Sequence, residues 1–100
     1  KAAGVNASHA IADVGNKDDV ARAFKAIGPV DVLVNNAGFS EHPTFPKTDP
    51  DAWAYDVNGN LNGAYNCAHA VIPGMIEKGG GSIVAIGSVA ALRGNPGNAA

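Results

Sequence analysis

Val30-Asp31-Val32-Leu33-Val34, running into Asn35-Asn36-Ala37-Gly38, is the stretch on which the fold turns. Four of its first five residues are aliphatic, and such near-continuous apolar character belongs to a strand covered on both faces of a parallel sheet. Asn and Gly then close it, as they close many strands. A second run of the same kind, Ser82-Ile83-Val84-Ala85-Ile86, ends in Gly87-Ser88. Upstream, Ser8-His9-Ala10-Ile11-Ala12-Asp13-Val14 reads as a third, weaker strand, because Ala is a poor strand former.

The segments between these runs carry helical spacing. Asn16 is placed to cap a helix with Asp18 and Asp19 in its first turn, where the helix dipole favours acids. Val20, Ala23, Phe24 and Ile27 follow at intervals of three and four, and Gly28-Pro29 ends the pattern. After a polar loop from Phe39 to Lys47, Thr48-Asp49-Pro50-Asp51 has the composition of a helix start. Trp53, Val57, Leu61, Ala64, Ala68, Ile72, Met75 and Ile76 then recur at helical intervals as far as about Glu77, and Lys78-Gly79-Gly80-Gly81 closes the run. Strand, helix, strand, helix, strand is an α/β order with a parallel sheet.

Composition narrows the function. The chain has 100 residues, 46% hydrophobic and 16% charged, so a packed core is expected and disorder is not. A net charge of −2 argues against a basic nucleic-acid surface. A single cysteine, Cys67, excludes an internal disulfide and a multi-cysteine zinc site, and points to a reducing, cytoplasmic setting. His9, His42 and His69 lack the spacing of metal ligands, so no metal is expected. No segment is apolar enough to cross a bilayer, so no membrane is expected as a partner. Gly79-Gly80-Gly81 follows a helix and opens a strand, the reverse of a phosphate-binding glycine turn.

Ligands of open α/β sheets bind outside the carboxyl ends of the strands. Asp13-Val14, Asn35 to Gly38 and Gly87-Ser88 fall there. Ala37 and Gly38 would let an adenosine approach the backbone, with Asn35 offering donors and acceptors, or the group is simply a turn. Ser88 is a donor for a substrate carbonyl, or a cap. Asn58-Gly59-Asn60-Leu61-Asn62-Gly63 is poor helix material, since each Gly costs about 1 kcal/mol against Ala in a helix interior. Either two helices meet near Asn58-Gly59, which propensity slightly favours, or one helix is distorted there and frees a carbonyl.

Taken together, Asp13-Val14, Asn35-Asn36-Ala37-Gly38, Trp53 with Asn60-Leu61-Asn62-Gly63, and Gly87-Ser88-Val89 resemble, in order, motifs of the classical short-chain dehydrogenase/reductase family. Resemblance is nearest to its 3-oxoacyl-carrier-protein reductase-like group. The resemblance implies the third to fifth strands, with two intervening helices, of a doubly wound parallel-sheet Rossmann fold. It implies that Asp13 and Val14 contact adenine, and that Asn35, Ala37 and Gly38 line the adenosine ribose. Asn60 would maintain a water-bridged proton relay, and Ser88 would polarise the substrate carbonyl. The spacing from Trp53 selects Asn60 over Asn58 for that role, which in turn favours the distorted helix.

The implied activity is hydride transfer between NAD or NADP and a small-molecule carbonyl or secondary alcohol, in a homodimer or homotetramer. The family's catalytic tyrosine and lysine would fall beyond Ala100, and its glycine-rich turn before Lys1. Residues 1–100 are therefore expected to be the central fragment of a single NAD(P)-binding domain, inactive alone. A truncated relative that binds a nucleotide or partner without turnover is the alternative. In the strand order 3-2-1-4-5-6 the first two strands here would not be neighbours, so the isolated chain is expected to lack the centre of its sheet.

Overall fold

In this computed structural model, residues 4–40 and 44–94 are described. Asn16 caps the first helix, its Oδ1 accepting from the amides of Asp18 (3.0 Å) and Asp19 (3.1 Å). Helix α1 spans Lys17–Ile27 and stops at Gly28, whose φ of 88° lies in the left-handed half of the map that glycine tolerates. Strand β1 is Val32–Asn35, and β2 is Ser82–Ala85. They pair in parallel, Val32 opposite Ser82 through Asn35 opposite Ala85.

The crossover between the strands is mostly helix among its described residues. A short 3₁₀ turn, Phe45–Lys47, precedes α2, Pro50–Val57. Asp49 caps α2, accepting from the Ala52 amide at 2.8 Å, with Pro50 in the first turn where a missing N–H costs nothing. Helix α3, Gly63–Lys78, ends in a left-handed Gly79. Gly80 N–H returns to Met75 O and Gly79 N–H to Ile76 O, the paired bonds of a Schellman ending. Between α2 and α3 the chain never leaves the helix. Asn58–Asn62 form one π-helical turn, which settles the choice left open by propensity in favour of a single distorted helix.

Two expectations need correction. Residues 8–14 form no strand, because a strand exists only through a ladder and no described residue offers one to this segment. The two strands are also not covered on both faces. Leu33 is buried against α1 and α3 in a core with Val20, Cys67, Val71 and Met75, whereas Val32, Val34 and Val84 are exposed. Alternation explains this for β1: Leu33 faces the helices, while Val32 and Val34 face the other side, which no described element covers; β2 is exposed along its length, Ile83 and Val84 alike.

The molecule is correspondingly open. Its accessible surface is 7427 Å², against roughly 5,200 Å² for a folded chain of this mass. Its radius of gyration is 15.9 Å, where about 13 Å is usual for 100 residues. Exposed aliphatic and aromatic side chains on the bare sheet face, on the π-turn and on α3, among them Leu61, Tyr65 and Ile76, account for part of the excess.

Candidate functional site

The π-turn organises the site. A π-turn inserts one extra residue into a helix and redirects the side chains around it. Here it turns Asn60 onto the corner that follows β1. Asn60 Oδ1 accepts from the Phe39 amide (3.2 Å), while Nδ2 donates to Phe39 O (2.6 Å) and to Asp56 O (2.8 Å). Asp56 O is the carbonyl one turn back from Asn60, so the side chain satisfies an acceptor that the widened turn places within its reach.

Close approach is what makes two small residues necessary here. A Cβ on Gly38 would overlap Asn60 Oδ1, and one on Gly59 would overlap the Phe39 ring. That ring also lies against Tyr55, with centroids 4.5 Å apart. Gly38, from the strand-end group, and Asn60, from the helix, are thus in direct contact.

The same turn reaches back to the end of the 8–14 segment. Asn58 Nδ2 donates to Gly15 O (3.1 Å), and Asn66 Nδ2 donates to Val14 O (2.9 Å). Asn62 Nδ2 donates to Asn58 Oδ1 at 3.1 Å, so three amides at intervals of four run along one side of the helix. Val14 packs on Gly63, where an added Cβ would come within 2.7 Å of Val14 Cγ2. Asp13 is held locally: its Oδ1 accepts from Gly15 N (2.9 Å), and its own amide donates to Asp19 Oδ2 (3.0 Å). The Asp13 amide and the Arg22 guanidinium together hold the Asp19 carboxyl below its ordinary pKa.

A groove of about 310 Å³ runs along the edge of β1 that β2 leaves unpaired. Val14, Asn35 and Ala37 border it, with Leu33, Gly63 and Cys67 beneath. Burial there pushes the Cys67 thiol pKa up, which keeps it protonated and unreactive. Asn35 is anchored by Nδ2 to Ala64 O at 3.4 Å, a long bond, and by its own carbonyl to Ile86 N at 3.0 Å.

Ser88 stands apart from this assembly. It caps the 3₁₀ turn Val89–Ala91, its Oγ accepting from Ala90 N at 3.2 Å. The capping role weighed in the sequence is therefore present. It occupies an acceptor position of the hydroxyl and leaves the hydrogen available to donate. Among the described residues Ser88 and Asn60 share no hydrogen bond, and no group of three His, Cys, Asp or Glu side chains is arranged to hold a metal. His42 lies outside the described residues.

Sequence reasoning overlooked Asn66 and Asp56, and treated Asn58 only as a look-alike. The signal for Asn58 and Asn66 was present, since 58, 62 and 66 recur every four residues. Nothing in the spacing marks Asp56.

The geometry has counterparts among known proteins. The family model described as short chain dehydrogenase matches residues 1–100. An acetoacetyl-CoA reductase of Allochromatium vinosum is 42% identical over 92 residues, covering 88% of this chain and 37% of its own. A 3-oxoacyl-acyl-carrier-protein reductase, FabG, of Staphylococcus epidermidis is 35% identical over 103 residues, covering 99% of this chain and 42% of its own. The crystal structure of gox2181 superposes with a TM-score of 0.81 at 34% identity, covering 86% of this chain and 35% of that one. The chain thus spans about a third to two fifths of the length of these relatives. Among the described residues no helix is long and apolar enough to cross a membrane.

Proposed function

The chain belongs to the short-chain dehydrogenase family, and on that premise we propose that the protein containing it is an NAD- or NADP-dependent oxidoreductase. Its substrate would be a carbonyl compound or the matching secondary alcohol, and residues 1–100 would be the middle of one dinucleotide-binding domain. The names of its relatives make 3-oxoacyl thioesters the first class to try. The observation that carries the reading is the π-turn, which puts Asn60 in contact with Gly38 at the carboxyl end of β1.

The residues present suit a dinucleotide. Val14, Asn35 and Ala37 border one groove at strand ends, and small side chains there admit close backbone contact. Asp13 and Val14 would hold the adenine, and Asn35, Ala37 and Gly38 the adjoining ribose. A bound nicotinamide supplies the hydride chemistry. Ser88 Oγ would donate to the substrate oxygen and stabilise negative charge as it develops. Asn60 would keep the widened turn in shape, so that a backbone carbonyl is free to hold a water in the proton path.

The exposed apolar side chains of the π-turn and α3, including Leu61, Tyr65 and Ile76, suit a homodimer or homotetramer contact. A cytoplasmic location remains part of the proposal. The test is to express the full-length protein and follow nicotinamide absorbance with acetoacetyl-CoA and with other 3-oxoacyl thioesters. Turnover that needs the nicotinamide supports the reading. Cofactor binding without turnover on any carbonyl would favour the non-catalytic relative instead.

A further inference from the structure

Asp56 is 5% exposed, in the last turn of α2 before the π-turn. A buried carboxylate is costly unless its oxygens are hydrogen-bonded. Asp56 Oδ2 accepts from Ser40 Oγ at 3.1 Å, while Oδ1 is buried with no hydrogen-bond partner among the described residues. Taken alone, this arrangement weakens the fold locally. An apolar side chain of similar size would avoid the cost, so packing does not account for an acid at this position.

The surroundings show what the acid holds. Its side chain grips Ser40, and its main-chain carbonyl receives Asn60 Nδ2. Asn60 in turn holds both the amide and the carbonyl of Phe39, the residue between Gly38 and Ser40. Phe39 is pinned from the other side by Tyr55 and Gly59. The corner 38–40 is therefore fastened by two neighbouring residues of the helix, Asn60 on its backbone and Asp56 on its last side chain.

We propose that Asp56 is a positioning residue that docks the Phe39–Ser40 corner onto the π-turn through Ser40. It thereby sets where Gly38 lies for the cofactor. This rests on the oxidoreductase reading as far as the cofactor is concerned; the docking itself does not.

The test uses the full-length protein with Asp56→Val, Asp56→Asn and Ser40→Ala. Two quantities are read, amide hydrogen exchange at Phe39 and steady-state kinetics with nicotinamide cofactor varied. Asp56→Val is expected to speed Phe39 exchange and raise the cofactor KM about threefold to tenfold, the size expected for one lost hydrogen bond. The effect on kcat should be smaller than that on KM. Asp56→Asn keeps an acceptor oxygen for Ser40 and should restore both readouts to near wild type. Ser40→Ala should shift both readouts in the same direction as Asp56→Val, and the double variant should fall short of the sum of the two, since the pair shares one hydrogen bond.

Wild-type exchange and KM in Asp56→Val would overturn the proposal. So would Asp56→Asn as impaired as Asp56→Val, or additive effects of the two sites. If Asp56→Val does not fold, Ser40→Ala carries the same comparison. An inactive wild-type protein would remove the oxidoreductase reading and leave Phe39 exchange to decide the role of Asp56.

Discussion

At the scale of single residues, two positions separate structural from chemical roles. Ser88 is a cap in this structure, and caps of short turns contribute little, so Ser88→Ala should leave thermal stability nearly unchanged. As a donor to a developing alkoxide it would matter far more. In the proposed full-length oxidoreductase the substitution is expected to lower kcat by roughly tenfold to a thousandfold, and turnover at the wild-type rate would reduce Ser88 to its capping bond. Gly38 is the converse case, where a methyl group has no room beside Asn60 Oδ1. Gly38→Ala should cost about 1–3 kcal/mol by overpacking, visible as a lowered Tm in a thermal melt. Much of this was legible in advance. Asn35, Ala37, Gly38 and Asn60 announce themselves by residue type at strand ends and by motif order. The Asp56–Ser40 pair was not legible, because a lone Asp on a helix reads as a solvated face until the fold buries it.

At the scale of the element, the informative object is the helix from Pro50 to Lys78 with its π-turn. Its ends were readable, from Asp49-Pro50 at one and the glycine run at the other, because capping is local chemistry. Its interior was only half readable. Propensity registered that Asn58-Gly59-Asn60 is poor α-helix but could not choose between a break and a widened turn. That choice is made by tertiary bonds: Asn58 to Gly15 and Asn60 to Phe39 are available only if the axis continues. Removing the inserted residue tests this directly. Deletion of Gly59 should restore an ordinary α-helix, leaving later side chains near their present orientation while removing the widened turn that carries Asn60 to Phe39. Helix content by circular dichroism should persist, while activity of the full-length enzyme should fall below detection. Retained activity would show that the extra residue is incidental.

At the scale of the whole molecule, the order of elements from α1 onward was right, whereas the first strand and the covering of the other two were not. Sequence pattern identifies a strand by its own residues, whereas a strand is made by its neighbour. Residues 8–14 have the pattern and lack the neighbour, and Val32, Val34 and Val84 have a second-face pattern with nothing laid over it. The isolated 100-residue chain, with its excess surface and small core, is therefore expected to unfold without a single sharp transition. Urea titrations followed by circular dichroism and by Trp53 fluorescence should give non-coincident, shallow curves. Superimposable sigmoidal curves would contradict this. The parallel pairing of β1 with β2 has a further consequence, in the order of events during synthesis. Val32 meets Ser82 only after the fifty residues separating them have been made, which takes about 3–10 s at a ribosomal rate of roughly 5–20 residues per second. Through that interval the edge of β1 that β2 covers stays open. Slowing translation across residues 50–80 would lengthen that exposure, and the nascent chain is expected to recruit chaperone in proportion.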